Sequence, residues 1–100
     1  MEMNCVSNPV YLDAFTELMT AINCYHLHIN DIQVYLNGFR VTFKEYPDGD
    51  IICHDGSYGN TQGLWESYGF PWDENDVSVQ TAQEFCHKLA EVAQYGILDE

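Results

Sequence analysis

The stretch Leu27–His54, LHINDIQVYLNGFRVTFKEYPDGDIICH, decides the fold, because two turn signals inside it set a pairing register. Asn37-Gly38 suits a type I′ hairpin turn, which needs φ > 0 at both central residues. A turn there pairs Leu36 with Phe39, Val34 with Val41 and Ile32 with Phe43, all apolar. The alternate pairs are Tyr35 with Arg40, Gln33 with Thr42 and Asp31 with Lys44, the last of opposite charge. A one-residue slip would carry the whole apolar set to the other face, so the alternation says which face is buried. Tyr46-Pro47-Asp48-Gly49 suits a type I turn followed by a left-handed glycine. The chain then returns with Ile51 and Cys53 on the face of Val41 and Phe43. Strands are expected over 27–36, 39–46 and 50–54, as an antiparallel meander with one buried face.

Helices flank this meander. Asn8 can cap a helix and Pro9 is preorganised for its first position. Tyr11, Phe15, Leu18 and Ile22 follow at helical spacing, with Leu12 and Met19 widening the stripe and Asp13 and Glu17 off it. This helix is expected to end near Asn23. Thr81-Ala82-Gln83-Glu84 reads as a capping box, and Ala82, Phe85, Cys86, Leu89, Val92 and Ala93 give a second apolar stripe that Gly96 would cap. Residues 1–7 read as a flexible lead-in. Residues 55–76 read as one long loop rich in glycine, aromatics and acids, within which Thr61–Tyr68 suits a turn of helix with Leu64 and Trp65 folded inward. Val77-Ser78-Val79 suits a short fourth strand. The class is α+β: a small antiparallel meander of three to four strands packed against an N-terminal and a C-terminal α-helix, in a single domain spanning 1–100.

Charge is the outlier of the composition. Sixteen acids face three bases (Arg40, Lys44, Lys88), for a net charge of −13, while 46% of residues are hydrophobic and 14% aromatic. A chain of this kind folds, but its own field repels nucleic acid and anionic membrane. What the field suits is a strongly basic partner, met with long-range steering. The acids are scattered from Glu2 to Glu100 rather than gathered in a tract, as a charged folded surface requires. The expected contact set joins Asp31, Glu45, Asp48, Asp50, Asp55, Glu66, Asp73, Glu74 and Asp76 with the aromatic anchors Tyr68 and Trp72. Met1–Asn4 has neither the basic region nor the apolar core of a signal peptide, and no apolar run approaches the roughly 20 residues of a membrane span, so a cytoplasmic protein is expected.

Catalytic and metal readings find less support. Cys24, His26 and His28 lie close together, with Cys53-His54 and Cys86-His87 further on, but the ligand pairs that tight turns deliver to structural zinc are missing. A reactive thiolate wants an electropositive setting, and the surrounding carboxylates should instead raise the pKa of every thiol. The four cysteines (Cys5, Cys24, Cys53, Cys86) therefore read as free thiols. Gly56-Ser57-Tyr58-Gly59 has no lysine and is no phosphate cradle, and the acids from Asp73 onward do not match a calcium loop. No metal, no cofactor and no catalysis are expected, with a metal- or thiol-dependent enzyme as the remaining alternative.

Length, net charge and layout together resemble a class of proteins, the small acidic phage-encoded inhibitors, anti-CRISPR proteins above all. The segment Ser57–Glu66 followed by Val77–Glu84 is similar in flavour to small phage proteins. The class has no common fold, so it assigns no residue roles. What the resemblance implies is a non-catalytic inhibitor in a bacterial host cell. It would bind a basic nucleic-acid-binding protein or CRISPR effector complex and present carboxylates where DNA phosphates would lie. An antitoxin or immunity-type protein covering a basic nuclease shares the electrostatics and is the alternative partner reading.

Overall fold

In a computed structural model, which describes residues 6–69 and 76–95, the element order is α1 (Pro9–Tyr25), β1 (Ile29–Tyr35), β2 (Gly38–Phe43), β3 (Tyr46–Cys53), a 3₁₀ helix (Asn60–Gln62), β4 (Trp65–Tyr68), β5 (Val77–Gln80) and α2 (Ala82–Tyr95). The fold is α+β. Among the described residues the strands make one antiparallel sheet in the order β1-β2-β3-β4-β5, so the meander has five strands where three to four were expected. The helices pack against each other and on one face of the sheet. The Phe15 ring of α1 stacks on Phe39 at a centroid distance of 4.3 Å, and Phe85 of α2 meets Phe43 at 5.5 Å. Leu18, Val41, Ile51, Cys53, Trp65, Cys86 and Leu89 are completely enclosed between these layers.

Both helices start as their sequences dictate. The Val10 N–H donates to Asn8 Oδ1 at 2.9 Å, with Pro9 in the first turn. At α2 the Glu84 N–H donates to Thr81 Oγ1 at 3.1 Å and the Thr81 N–H to Glu84 Oε1 at 2.8 Å, a complete capping box. The end of α1 departs from expectation. It runs past Asn23 to Tyr25 and closes with His26 in the left-handed region (φ 59°), the His26 N–H reaching Asn23 O and the Leu27 N–H reaching Ile22 O. This is a Schellman closure without glycine, held by burial of Leu27. Leu12 is exposed rather than part of the apolar stripe. The expected cap at Gly96 lies outside the described residues.

The hairpin keeps its faces but not its turn. Tyr35 pairs with Gly38, Val34 with Phe39 and Ile32 with Val41, so the turn residues are Leu36 (φ 48°) and Asn37 (φ 61°). A two-residue shift leaves every side chain on its expected face, which is why alternation alone does not distinguish the two registers. Gly38 distinguishes them. A Cβ there would lie 2.1 Å from the Cys53 carbonyl oxygen and 2.5 Å from His54 Cα. The glycine is needed for this close approach to the end of β3, not for a left-handed turn, so the turn moves one residue back.

The second turn also moves. It lies at Lys44-Glu45, with Phe43 paired to Tyr46, and Tyr46–Gly49 forms part of β3. Between the pairs Val41–Ile51 and Phe43–Tyr46, two steps on β2 are matched by five on β3, so the chain bulges there. Tyr46 turns in to pack on the core, and Gly49 leaves room for its ring, since a Cβ would sit 2.4 Å from Tyr46 Cε2. Residues 55–76 are likewise not one loop. They hold the 3₁₀ helix and β4, and Trp65 folds inward from a strand rather than from a turn of helix. Of the lead-in, Val6 packs on the core, and residues 1–5 lie outside the described set.

Gly38→Ala is expected to destabilise the fold by about 1–3 kcal/mol or more, because backbone rather than a movable side chain opposes the new methyl group. Leu36→Asn is expected to stabilise it by roughly 0.5–1 kcal/mol, since Asn tolerates the left-handed region better than Leu. Midpoints of urea unfolding check both signs.

Candidate functional site

The face of the sheet away from the helices is built from the side chains that alternate with the core. Pairing places Gln33, Arg40, Ile52, Glu66 and Val79 in one row across all five strands. Tyr35 on β1 and Tyr68 on β4 share this face and are largely exposed, as is Tyr58 beside it, whose backbone N–H donates to Glu66 Oε1 at 2.8 Å. Arg40 is the basic member of the row. Its guanidinium donates to the Asp50 carboxylate and, at 3.0 Å, to Gln33 Oε1.

An antiparallel meander brings the start of β1, the β2–β3 turn and the β4–β5 connection to a single end of the sheet. Asp31, Glu45, Asp48, Asp50, Tyr68 and Asp76 therefore converge there, although they span 46 positions of sequence from Asp31 to Asp76 counted inclusively. Asp31, Asp48 and Asp76 are exposed, and Asp50 is half-buried in its ion pair with Arg40. Glu66 sits in mid-sheet. Trp72, Asp73 and Glu74 lie outside the described residues, in the segment joining β4 to β5.

Two of the expected contact residues also do structural work. Glu45 is half-buried and accepts from the His28 N–H at 3.1 Å and the His28 ring at 2.8 Å, tying the β2–β3 turn to the approach of β1. Burial pushes its pKa up, but the hydrogen bonds from His28 outweigh it and hold the carboxyl below its ordinary value. Asp55 is at the opposite end of the sheet, where it joins three elements. It accepts from the Tyr11 hydroxyl at 2.8 Å and from Asn37 Nδ2 at 2.8 Å, while its own N–H donates to Leu36 O. The Asn37 amide first, then the Tyr11 hydroxyl, lower its pKa. Burial, then the Asp55 contact, raise Tyr11 to about 12. Sequence reading gave no sign of this clamp, because its members are far apart in sequence and of common type.

Among the described residues no three His, Cys, Asp or Glu side chains gather as a metal site, and no helix is long and apolar enough to cross a membrane. Cys53 and Cys86 are buried, and burial rather than neighbouring carboxylates lifts them to about 11 and about 12. A depression of about 320 Å³ between α1 and the 3₁₀ helix is lined by Asp13, Glu17 and Thr61 with no thiol or imidazole, and it lies open to solvent. The arrangement offers exposed carboxylates and aromatic rings to cations. Comparison with protein-family models, with curated proteins and with solved structures finds no match to this chain.

Asp55 has a lowered pKa in the fold, so its contribution to stability is present above the ordinary Asp value near 3.9 and is lost as pH falls through the folded value. Tyr11 is raised, so its contribution is present below pH 10 and is lost as pH climbs toward about 12. Asp55→Asn is expected to flatten the acid limb of a stability–pH curve, and Tyr11→Phe the alkaline limb, as read by thermal unfolding. In a thiol titration at neutral pH, exposed Cys24 should react with an aromatic disulfide reagent, while Cys53 and Cys86 react only as fast as the chain unfolds.

Proposed function

We propose that this protein is a non-catalytic inhibitor that docks the acidic end of its sheet on a basic nucleic-acid-binding protein or complex, anti-CRISPR-like in action, and so keeps DNA from that surface. The observation that carries this reading is the convergence of Asp31, Asp48, Asp50 and Asp76 on one end of the sheet in a chain of net charge −13. Asp31 on β1, Asp50 on β3 and Asp76 at the start of β5 stand two strands apart from one another, roughly 10 Å at each step. That spacing spreads negative charge over a surface, as a duplex with one charge per roughly 1.7 Å of axis does. Exposed Tyr68 adds an aromatic face on which a partner's guanidinium can stack. Long-range attraction would speed the encounter, and salt would weaken it.

The experiment is a pull-down from bacterial lysate, washed at low and then high salt, with bound proteins identified by mass spectrometry and tested for competition by duplex DNA. The expected result is a basic nucleic-acid-binding assembly that elutes with salt and is displaced by DNA. The triple variant Asp31→Asn, Asp48→Asn, Asp76→Asn should bind it about tenfold more weakly, with an unchanged fold because all three side chains are exposed. Capture of one small nuclease would move the reading to an immunity-type protein. A partner held equally well at high salt and indifferent to DNA would overturn the mimicry.

A further inference from the structure

The β1 edge of the sheet has a chemistry opposite to that of the acidic end. From Ile32 to Lys44 the chain holds no acid and two of its three cations. On β1 and its turn, Ile32, Val34, Tyr35 and Leu36 are 39–54% exposed, which makes this the largest run of exposed apolar side chains in the sheet. Soluble proteins protect such edges with lysine, proline or a bulge. Here a register irregularity lies at Ile29–Asp31, and Ile32–Tyr35 beyond it is regular and unprotected.

From this edge we infer that the protein pairs with a second copy of itself, β1 against β1 in antiparallel register about a two-fold axis at Gln33. The backbone restricts the axis to a residue rather than a gap between residues, and the side chains select Gln33. The two-residue turn makes Tyr35 and Gly38 the pair that exchanges both hydrogen bonds, and by alternation Gln33 and Asp31 also bond inward to β2. The N–H and C=O groups of Ile32 and Val34 therefore point away from the sheet. A two-fold axis at Gln33 sets Ile32 opposite Val34 of the second copy, and Val34 opposite its Ile32. Both pairs carry outward-pointing backbone groups and both are apolar on the helix-side face. On the other face Asp31 meets Tyr35 of the second copy, and Gln33 meets its counterpart. An axis between two residues would set outward groups against inward ones. Of the axes through a residue, Asp31 would oppose two carboxylates, Ile32 would set Val34 against Asn30, and Val34 would set Ile32 against Leu36, which lies in the turn in the left-handed region. Charge limits where two copies can meet: chains of −13 repel, and they do so least where the acid-free stretch Ile32–Lys44 of each comes together, with one acid per copy, Asp31, in the seam. The ten-stranded sheet would take Asp31 of the acidic end into the seam and leave Asp48, Asp50 and Asp76 free in both copies.

Sedimentation or light scattering on the full chain, from roughly 10 µM to roughly 500 µM, tests it. The expected result is a monomer–dimer equilibrium that strengthens as salt rises, because screening relieves the repulsion. This is the opposite sign to the salt effect on a basic partner, so the two readings fail separately. Val34→Lys should shift the equilibrium about tenfold or more toward monomer while leaving the fold intact, as Val34 is 41% exposed. Gln33→Cys, in a Cys5→Ser, Cys24→Ser background, should cross-link to a covalent dimer, because a non-hydrogen-bonded antiparallel pair brings the Cα atoms to about 4.5 Å, within disulfide reach. Gln62→Cys on the 3₁₀ helix should not. A monomer at every concentration, or a dimer that Val34→Lys leaves intact and Gln33→Cys does not trap, would overturn the inference.

Discussion

The seat of the β1–β2 hairpin on the end of β3 is the contact on which the rest of the structure depends. Gly38 lies so close to the Cys53 carbonyl that no side chain fits between them. Asp55, one residue beyond His54, then reaches back to the hairpin turn through Asn37 and Leu36 and across to α1 through Tyr11. Once those three elements are joined, Phe39 stands under Phe15, and the inner rows of β2 and β3 lie under both helices. The carboxylate of Asp55 thereby stiffens the end of the molecule opposite the one where exposed acids gather. Asn60 extends the same network, donating to Tyr11 Oη and to the His54 carbonyl, and so ties in the 3₁₀ helix.

Charge is divided by the fold in a way that bears on function. Some acids are engaged in holding the chain together: Asp55 in the clamp, Glu45 with His28, Glu84 in the capping box, Glu66 on the Tyr58 amide. Each of these satisfies backbone or side-chain donors, which is how a chain with three cations stabilises carboxylates that have no lysine or arginine beside them. Others, at Asp31, Asp48 and Asp76, make no such cross-chain contact and face solvent at one end of the sheet. Asp50 stands between the two groups, with Arg40 as its neutralising neighbour. A surface of free carboxylates supported by a rigid sheet is preorganised to meet cations. The acid-poor β1 edge lies along a different side, so one sheet presents two chemically distinct borders.

Much of the fold was legible in the sequence, and the misreadings share a cause. The caps at Asn8 and at Thr81–Glu84 are local: a side chain and a backbone donor two or three residues apart decide them. The buried faces were legible because alternation repeats every two residues. The turns were misplaced by local reasoning that assigned Gly38 and Gly49 to left-handed positions. Both glycines are in fact there to admit a neighbour, the end of β3 in one case and the Tyr46 ring in the other. β4 was hidden because Trp65–Tyr68 is short and mixes apolar with polar residues, and Ser67 is buried opposite Ile51 without being apolar.

What the sequence by itself determined is the class, the two helices, the parity of the sheet and the scale of the charge, since each follows from composition or from interactions within a few residues. Apart from Glu84, whose capping box is local, the tertiary structure alone decided which acids are spent on the fold and which stand together at the end of the sheet. Carboxylates have no periodic signature in a chain with sixteen of them. Their grouping depends on the strand order and on where each turn falls, and close packing at Gly38 and Gly49 settles the turns.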